Sequence, residues 1–354
     1  MYPINFAKPG DWRFTQDGGC HFKLERFMRN LKEHKNQINS NKKIYQNAVS
    51  KILAKTLKIR RENQKEYFFN LFNKINYHFV NQNSHANFEN FPKDDRIVYI
   101  GGILVEENEK YLGLTTNKYE DASLVLVAFG TLNLNAGMTL HDVNFMLYLF
   151  TQCSDYQFKI KLPPGYNLPN TSNIEITDEF IEQQKILFDP NTKFFISHCG
   201  QNSLTEAIYA GVPLICIPNS GDQFYNSSLV EQLGIGIYVS LLWIDNNGEH
   251  RNPYFGNEFT KALNEIQELS EKNLGLGIGL GLSGDLDCIW IESNCYIWIA
   301  PFAFHDSLFN VEQLFNIYQQ KISELRNKIL HNFYNDGIRA KEVFLQMIRN
   351  VIGD

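Results

Sequence analysis

Hydrophobic positions change their period along this chain, and the change divides it. Over residues 23–78, Ile44, Ala48, Ile52 and Leu57 step at helical spacings with Lys and Asn between them, which predicts helix. Asn81–Pro92 is polar and reads as loop. Arg96–Leu104 (RIVYIGGIL) predicts a strand that closes on two glycines. Glu106–Asp121 is charged and reads as a linker, so the domain boundary falls there and separates residues 1–112 from 113–354.

From residue 124 the pattern becomes that of buried strands. Leu124–Phe129 (LVLVAF) is a continuous apolar run ending on Gly130-Thr131, as parallel strands covered on both faces do. Val143–Phe150 predicts a helix and Tyr156–Lys161 a second strand. Lys193–Ser197 predicts a third strand and Leu204–Ala210 a helix stopped by Gly211 and Pro213, after which Leu214–Ile217 returns to strand. Strand, helix and strand at these intervals predict an α/β domain with a parallel sheet. Residues 307–350 return to helix, with Leu314, Ile317, Ile322, Leu325 and Ile329 on one face. Between them, 268–304 reads as an atypical insertion. Its GxGxG stretch (NLGLGIGLGL) has neither the preceding strand nor the capped helix that a phosphate loop requires.

Composition narrows the class. With 354 residues, 44% hydrophobic and 20% charged, the chain is globular and long enough for two domains. Its net charge of −6 argues against a general nucleic-acid binder, and no nucleic-acid partner is expected. Residues 1–78 are basic, with 16 Lys and Arg against 6 Asp and Glu, and read as helices with lysines on the wet face. Six cysteines lack CxxC spacing, so neither a zinc site nor a disulfide scaffold is implied. The first residues do not form a secretory signal, and no apolar run reaches the length of a membrane span. As written, the chain is expected to be soluble and cytosolic.

The chemistry concentrates in Phe180–Gln223 (FIEQQKILFDPNTKFFISHCGQNSLTEAIYAGVPLICIPNSGDQ). A strand delivers His198, Cys199 and Gly200 to a tight turn, and Ser203 is placed to cap the following helix. Unpaired N–H groups at a helix N-terminus suit an anion such as a diphosphate. His198 stands at the C-terminal end of its strand, where open α/β sheets bind ligands. Structural readings compete. Ser203-Leu-Thr-Glu206 is also a capping box, His198 alone reads as a satisfied core histidine, and Asp222-Gln223 reads as a polar turn.

The joint spacing goes further than any single residue. The segment resembles the signature of the family 1 UDP-sugar glycosyltransferases, whose box runs 44 positions from an aromatic residue to a Gln, as Phe180–Gln223 does. Gln183, Leu187, Phe195, His198, Cys199, Gly200, Asn202, Ser203, Glu206, Gly211, Pro213, Pro218, Asp222 and Gln223 fall at matching offsets. Val127–Thr131 resembles the family's SFGS turn, Asn83–Ile103 its approach to the C-terminal domain, and Leu314–Ile352 its closing helices.

The resemblance implies a GT-B fold, with a complete Rossmann-like donor domain and an incomplete, mostly helical remnant of the N-terminal acceptor-side domain over 1–112. It implies inverting transfer of glucose or glucuronate from a UDP-sugar to the hydroxyl of a small lipophilic acceptor, with no metal and no cofactor beyond the co-substrate. Phe180 would stack on uracil in place of the usual Trp. Gln183 would hold the base, and Glu206 would accept both ribose hydroxyls. His198, Asn202, Ser203 and Thr131, with Gly200 allowing close approach, would bind the diphosphate, and Asp222 and Gln223 the sugar. Glu182 departs from the family's Pro and places a carboxylate near the base. The family's catalytic base is a His after the first strand of the N-terminal domain. No such opening is read here, and His21 follows no apolar strand. The catalytic residue is therefore unassigned and truncation is expected; the alternative reading is a non-catalytic UDP-sugar-binding or partner protein, or a gene-model fragment lacking the catalytic base, and association with a full-length homologue goes with it. Family membership would place such a protein at the endoplasmic reticulum membrane or lumen.

Overall fold

A computed structural model describes residues 12–14, 20–22, 73–88, 95–108, 123–130, 137–164, 171–219, 222–245, 248–267, 311–335 and 339–352, with isolated positions between 43 and 70 and at 112, 166 and 337. The insertion read at 268–304 and Thr131 lie outside the described residues.

The centre of the molecule is a six-stranded parallel sheet of β5 (Ser123–Ala128), β6 (Tyr156–Lys161), β7 (Ile174–Thr177), β8 (Thr192–Ser197), β9 (Leu214–Cys216) and β10 (Gly236–Tyr238), in spatial order β10-β9-β8-β5-β6-β7. The α/β class and parallel sheet expected from the apolar runs are observed. The chain builds outward from β5 to β6 and β7, then returns to β5's other side for β8. That reversal lies between β5 and β8, where the crossovers diverge and leave a crevice.

Alternation along β5 explains how the sheet is buried. Leu126 and Ala128 face a core with Phe195, Leu204, Ile208, Tyr209 and Ile322. Val125 and Val127 face a second core with Met146, Phe150, Phe194, Ile196 and Phe259. The first is covered by α4 (Gln201–Ala210), α5 (Gln223–Leu233) and α7 (Val311–Asn335), the second by α2 (Leu140–Thr151) and α6 (Phe255–Ile266). Covering both faces is why β5 reads as a continuous apolar run. α2 starts at a capping box of Thr139 and Asp142. Asp142 also pairs with Arg251 in the hairpin of β11 (Leu242–Asp245) and β12 (Gly248–Arg251).

Ahead of the sheet, β3 (His78–Val80) and β4 (Ile97–Tyr99) form a parallel pair. The strand expected over Arg96–Leu104 stops at Tyr99. Gly101 and Gly102 turn the chain into α1 (Ile103–Glu107), so Ile103 and Leu104 are helical. Both glycines are required: a methyl on Gly101 would lie 2.4 Å from the Gln82 backbone, and Gly102 has φ +105° against the Tyr209 hydroxyl.

Glu106, at the start of the charged segment that reads as a linker, is buried. Its Oε1 accepts from Tyr209 Oη at 2.8 Å, and its Oε2 accepts from the backbone N–H of Ala340 at 2.8 Å, at the start of α8 (Ala340–Ile352). Burial pushes its carboxyl above the usual range, the donors and Arg339 pulling it back. Ala86, Phe88, Val105 and Leu112 share the core that holds Tyr209.

The helix read over 23–78 lies mostly outside the described residues. Nearer the start, β1 (Trp12–Phe14) pairs antiparallel with β2 (Cys20–Phe22), so a strand does precede His21, which faces Arg13 in the register.

Candidate functional site

Register gathers the site at one edge of the sheet. Ala128 pairs with Ser197, Ser197 with Cys216, Ala128 with Lys161 and Lys161 with Thr177. The segments that follow these C-terminal positions therefore emerge side by side: Phe129-Gly130, His198–Gly200, Ile217–Asn219 and Asp178–Glu182.

His198 stands at the reversal point, packed between two glycines. A methyl on Gly130 would lie 2.8 Å from its Nε2, and one on Gly200 2.7 Å. Gly130 also has φ +88°, where a side chain strains the backbone. The imidazole is largely buried, and its Nδ1 meets no hydrogen-bond partner among the described residues. Burial holds its pKa below the usual histidine value, with the Asp222 carboxylate pulling the other way. A neutral imidazole with a buried, unpartnered nitrogen costs free energy unless a ligand completes it. The reading of His198 as a satisfied core histidine is therefore not supported.

Helix α4 begins three residues earlier than its apolar pattern suggests. Gly200 is the N-cap, with extended φ and ψ, so Ser203 lies inside the first turn and does not cap the helix. The capping box is accordingly absent. Glu206 reaches across to α3 (Gln183–Leu187) instead, where its Oε2 accepts from Gln183 Nε2 at 2.6 Å and its Oε1 from Gln184 Nε2 at 3.2 Å. Gln183 Nε2 also lies 3.1 Å from Ser203 Oγ. Burial raises the Glu206 pKa, and the two amides offset part of that rise.

The N-terminus of α4 is already shared. The Gln201 N–H donates to Asp222 Oδ2 at 3.0 Å, which leaves Asn202 and Ser203 to supply the other first-turn N–H groups. Asn202 Oδ1 accepts from Asn81 Nδ2 at 3.0 Å, and Gln201 Nε2 donates to Gln82 Oε1 at 3.1 Å. The loop after β3 thus reaches this turn. Gln223 Oε1 accepts the Asn219 N–H at 2.8 Å. Asp222 and Gln223 stand where the sugar was expected, each engaged with the turn beside it.

Phe180 is the most exposed large apolar side chain among the described residues, at 83%, and lies between β7 and α3. An apolar ring left in solvent beside polar side chains is a place for a flat partner. The Lys161 ammonium lies 5.9 Å from its ring centroid, within cation–π range. Glu182 is exposed and pairs with Lys185 at 3.6 Å, so its carboxylate is partly compensated.

Of the predicted residues, Phe180, Gln183, His198, Gly200, Asn202, Ser203, Glu206, Asp222 and Gln223 share this one edge. Three features went unread in the sequence. Gly130 presses on His198, Gln184 touches Glu206, and Cys199 is disulfide-bonded to Cys216, with Cα atoms 5.5 Å apart. Cys199 adopts φ +58°. Its N–H donates to Ser197 Oγ at 3.0 Å, and its carbonyl accepts from Asn226 Nδ2 at 3.0 Å. The signal for the pair was available: Cys216 closes one strand, and Cys199 lies two residues past the end of its neighbour at the same end of the sheet.

Among the described residues no helix is long and apolar enough to cross a membrane.

Mogroside IIIx synthase of Siraitia grosvenorii is 31% identical over 160 residues, covering 40% of this chain and 34% of that protein. A putative UDP-glucuronosyltransferase of Caenorhabditis elegans, ugt-47, is 30% identical over 153 residues, covering 41% and 28%. These matches span about a third of the relatives' own length. Among solved structures, Os79 of O. sativa in complex with UDP aligns at 19% identity and a TM-score of 0.45, covering 72% of this chain and 50% of that one. The glycotransferase of kitacinnamycin aligns at 14% and 0.48, covering 78% and 54%. The family model described as UDP-glucoronosyl and UDP-glucosyl transferase matches residues 8–248, more than half of the chain and all of Phe180–Gln223. On that match the chain belongs to the UDP-glucoronosyl and UDP-glucosyl transferase family.

Proposed function

We propose that this chain carries the donor site of an inverting UDP-sugar glycosyltransferase of GT-B type, which moves glucose or glucuronate to the hydroxyl of a small lipophilic acceptor. The observation that carries the reading is the His198 ring at the reversal point of the sheet, its Nε2 set between Gly130 and Gly200. A diphosphate between the Gly130 and Gly200 turns would accept a hydrogen bond from that nitrogen.

In this reading uracil stacks on Phe180, the ribose hydroxyls donate to Glu206, and the diphosphate lies against His198, Asn202 and Ser203. The acceptor oxygen attacks the anomeric carbon while the bond from that carbon to the β-phosphate oxygen breaks. Negative charge then gathers on the leaving UDP, where first-turn N–H groups and the imidazole are already in place, so little reorganisation is needed. Charge on the leaving group is assigned to these groups rather than to a metal. The acceptor's proton is assigned to a base on the acceptor side, outside this group of residues. Asp222 and Gln223 give up their present partners in part to take the sugar hydroxyls.

Calorimetry with UDP tests the reading. Wild type is expected to bind, and His198→Ala to bind at least about tenfold more weakly, as loss of a hydrogen bond to a charged group does. Equal binding by the two would overturn the assignment of the diphosphate to His198.

A further inference from the structure

We infer that Gln184 is a positioning residue of the ribose subsite, its amide turned toward Glu206 because Asn108 holds the other end. The inference rests on the assignment of the ribose to Glu206 and adds two residues, neither of which the resemblance assigns to the site.

Asn108 is the residue that closes α1. Its Nδ2 donates to Gln184 Oε1 at 2.7 Å, and Gln184 Nε2 donates to Glu206 Oε1 at 3.2 Å. A primary amide has one acceptor end and one donor end. With the acceptor end taken by Asn108, the NH2 is the end that meets the carboxylate. A flipped Gln184 would set its carbonyl against an anion and lose both bonds. Orientation is thus fixed from both sides.

The consequence falls on the carboxylate. Gln183 holds Oε2 and Gln184 holds Oε1, so a donor on each oxygen prevents the group from rotating. An ionised carboxylate offers roughly four acceptor directions, and two are used here. One remains on each oxygen, and the two together match the paired hydroxyls of a cis-diol. Such fixing before the ligand arrives reduces the ordering cost of binding. Remove Gln184 and Oε1 loses its anchor, while Gln183 alone leaves the plane of the group free to swing.

The test compares UDP with 2′,3′-dideoxy-UDP, in wild type, Gln184→Ala, Asn108→Ala and the double variant, with thermal unfolding recorded alongside. Gln184→Ala is expected to weaken UDP about fivefold, on the scale of one charge-assisted hydrogen bond and its ordering, and to leave dideoxy-UDP unchanged. Asn108→Ala, which removes the hydrogen bond to Gln184 Oε1, should shift UDP in the same direction by a smaller factor. The double variant should bind no more weakly than Gln184→Ala. Equal weakening of both nucleotides by Gln184→Ala would overturn the inference, as would an unchanged preference for UDP. A wild type that binds the two nucleotides equally, or binds neither, removes the ribose assignment itself, a failure separate from a wild-type preference that Gln184→Ala preserves.

Discussion

Asp222 accepts the backbone N–H of Gln201 at 3.0 Å, so a carboxylate occupies part of the helix end proposed to receive a diphosphate. It caps the helix, and it repels the anion that would sit next to it. We expect Asp222→Asn to keep the cap through the amide oxygen and to bind UDP severalfold more tightly at low salt, the gain shrinking as salt screens the removed charge. The same variant should bind a UDP-sugar with less advantage over UDP, since an amide oxygen accepts the sugar hydroxyls more weakly than a carboxylate does. Titration of both nucleotides at two ionic strengths measures this, and unchanged UDP affinity at low salt would contradict it.

Glu206 gives a pH dependence with a definite sign. Its folded-state pKa is raised, by burial first, with Gln183 and Gln184 offsetting. A raised carboxyl favours the protonated form in the fold, so its contribution to stability is full below the unfolded pKa and is lost as pH rises through the folded one. Binding of a diol needs the ionised form and runs the other way. UDP affinity should therefore fall on acidification, starting at a higher pH than an ordinary carboxylate would give. Glu206→Gln should flatten that profile and cost about 1–3 kcal/mol of affinity for hydroxyls left with a poorer acceptor. The melting temperature should change little, because Glu206 caps no helix. A large loss of stability with unchanged affinity would restore a structural role.

His198 predicts proton uptake. Burial holds it neutral below the usual histidine range in the free protein. Folding with a depressed histidine pKa costs stability as pH falls below the unfolded value of about 6.5, because the unfolded chain then binds the proton more readily. A diphosphate beside the ring raises its pKa again. UDP binding near pH 6 should consequently take up a fraction of a proton, seen as a dependence of the calorimetric heat on the ionisation enthalpy of the buffer. His198→Asn should abolish the uptake, and buffer-independent heats in the wild type would contradict the placement.

Glycine substitutions separate strain from crowding. Gly130→Ala combines φ +88° with a contact 2.8 Å from His198 Nε2, whereas Gly200→Ala meets the ring at 2.7 Å with an ordinary φ. We expect Gly130→Ala to cost about 1–3 kcal/mol of stability for the strained backbone and the contact together. Gly200→Ala should unfold at a temperature closer to wild type yet bind UDP more weakly, because the ring must move. Melting curves and UDP titration of both variants check the ordering, and equal loss of stability would remove the distinction.

Particular residues show how far the sequence could be read. Leu124–Phe129 and the Phe194–Ile196 centre of Lys193–Ser197 announced themselves as strands, since burial on both faces leaves no polar position to confuse the period, whereas in Tyr156–Lys161 the polar Gln157, Lys159 and Lys161 alternate with Tyr156, Phe158 and Ile160. The helix carrying Asn202 and Ser203 was placed late, because its first turn (Gln201, Asn202, Ser203) is polar and its cap is a glycine with no side chain to mark it. Glu206 fitted a capping box in sequence, and only the neighbouring strand order, which brings Gln183 and Gln184 alongside, shows its true partners. Glu106 fell within a charged segment that reads as a linker for the same reason: its partners, Tyr209 and Ala340, are more than one hundred residues away along the chain and leave no local pattern.

Ala86, Phe88 and Val105 share their core with Tyr209, Ile208 and Ile322. Modular inheritance is the consequence. A chimera made by recombination between relatives at residue 112 would cut through packed interior and mismatch side chains on both sides of the seam. Residues 78–108, with the Asn108 amide and the loop that reaches Gln201 and Asn202, travel with the sheet as one heritable block. A crossover ahead of that block would exchange the preceding region while leaving the proposed donor site with every one of its supports.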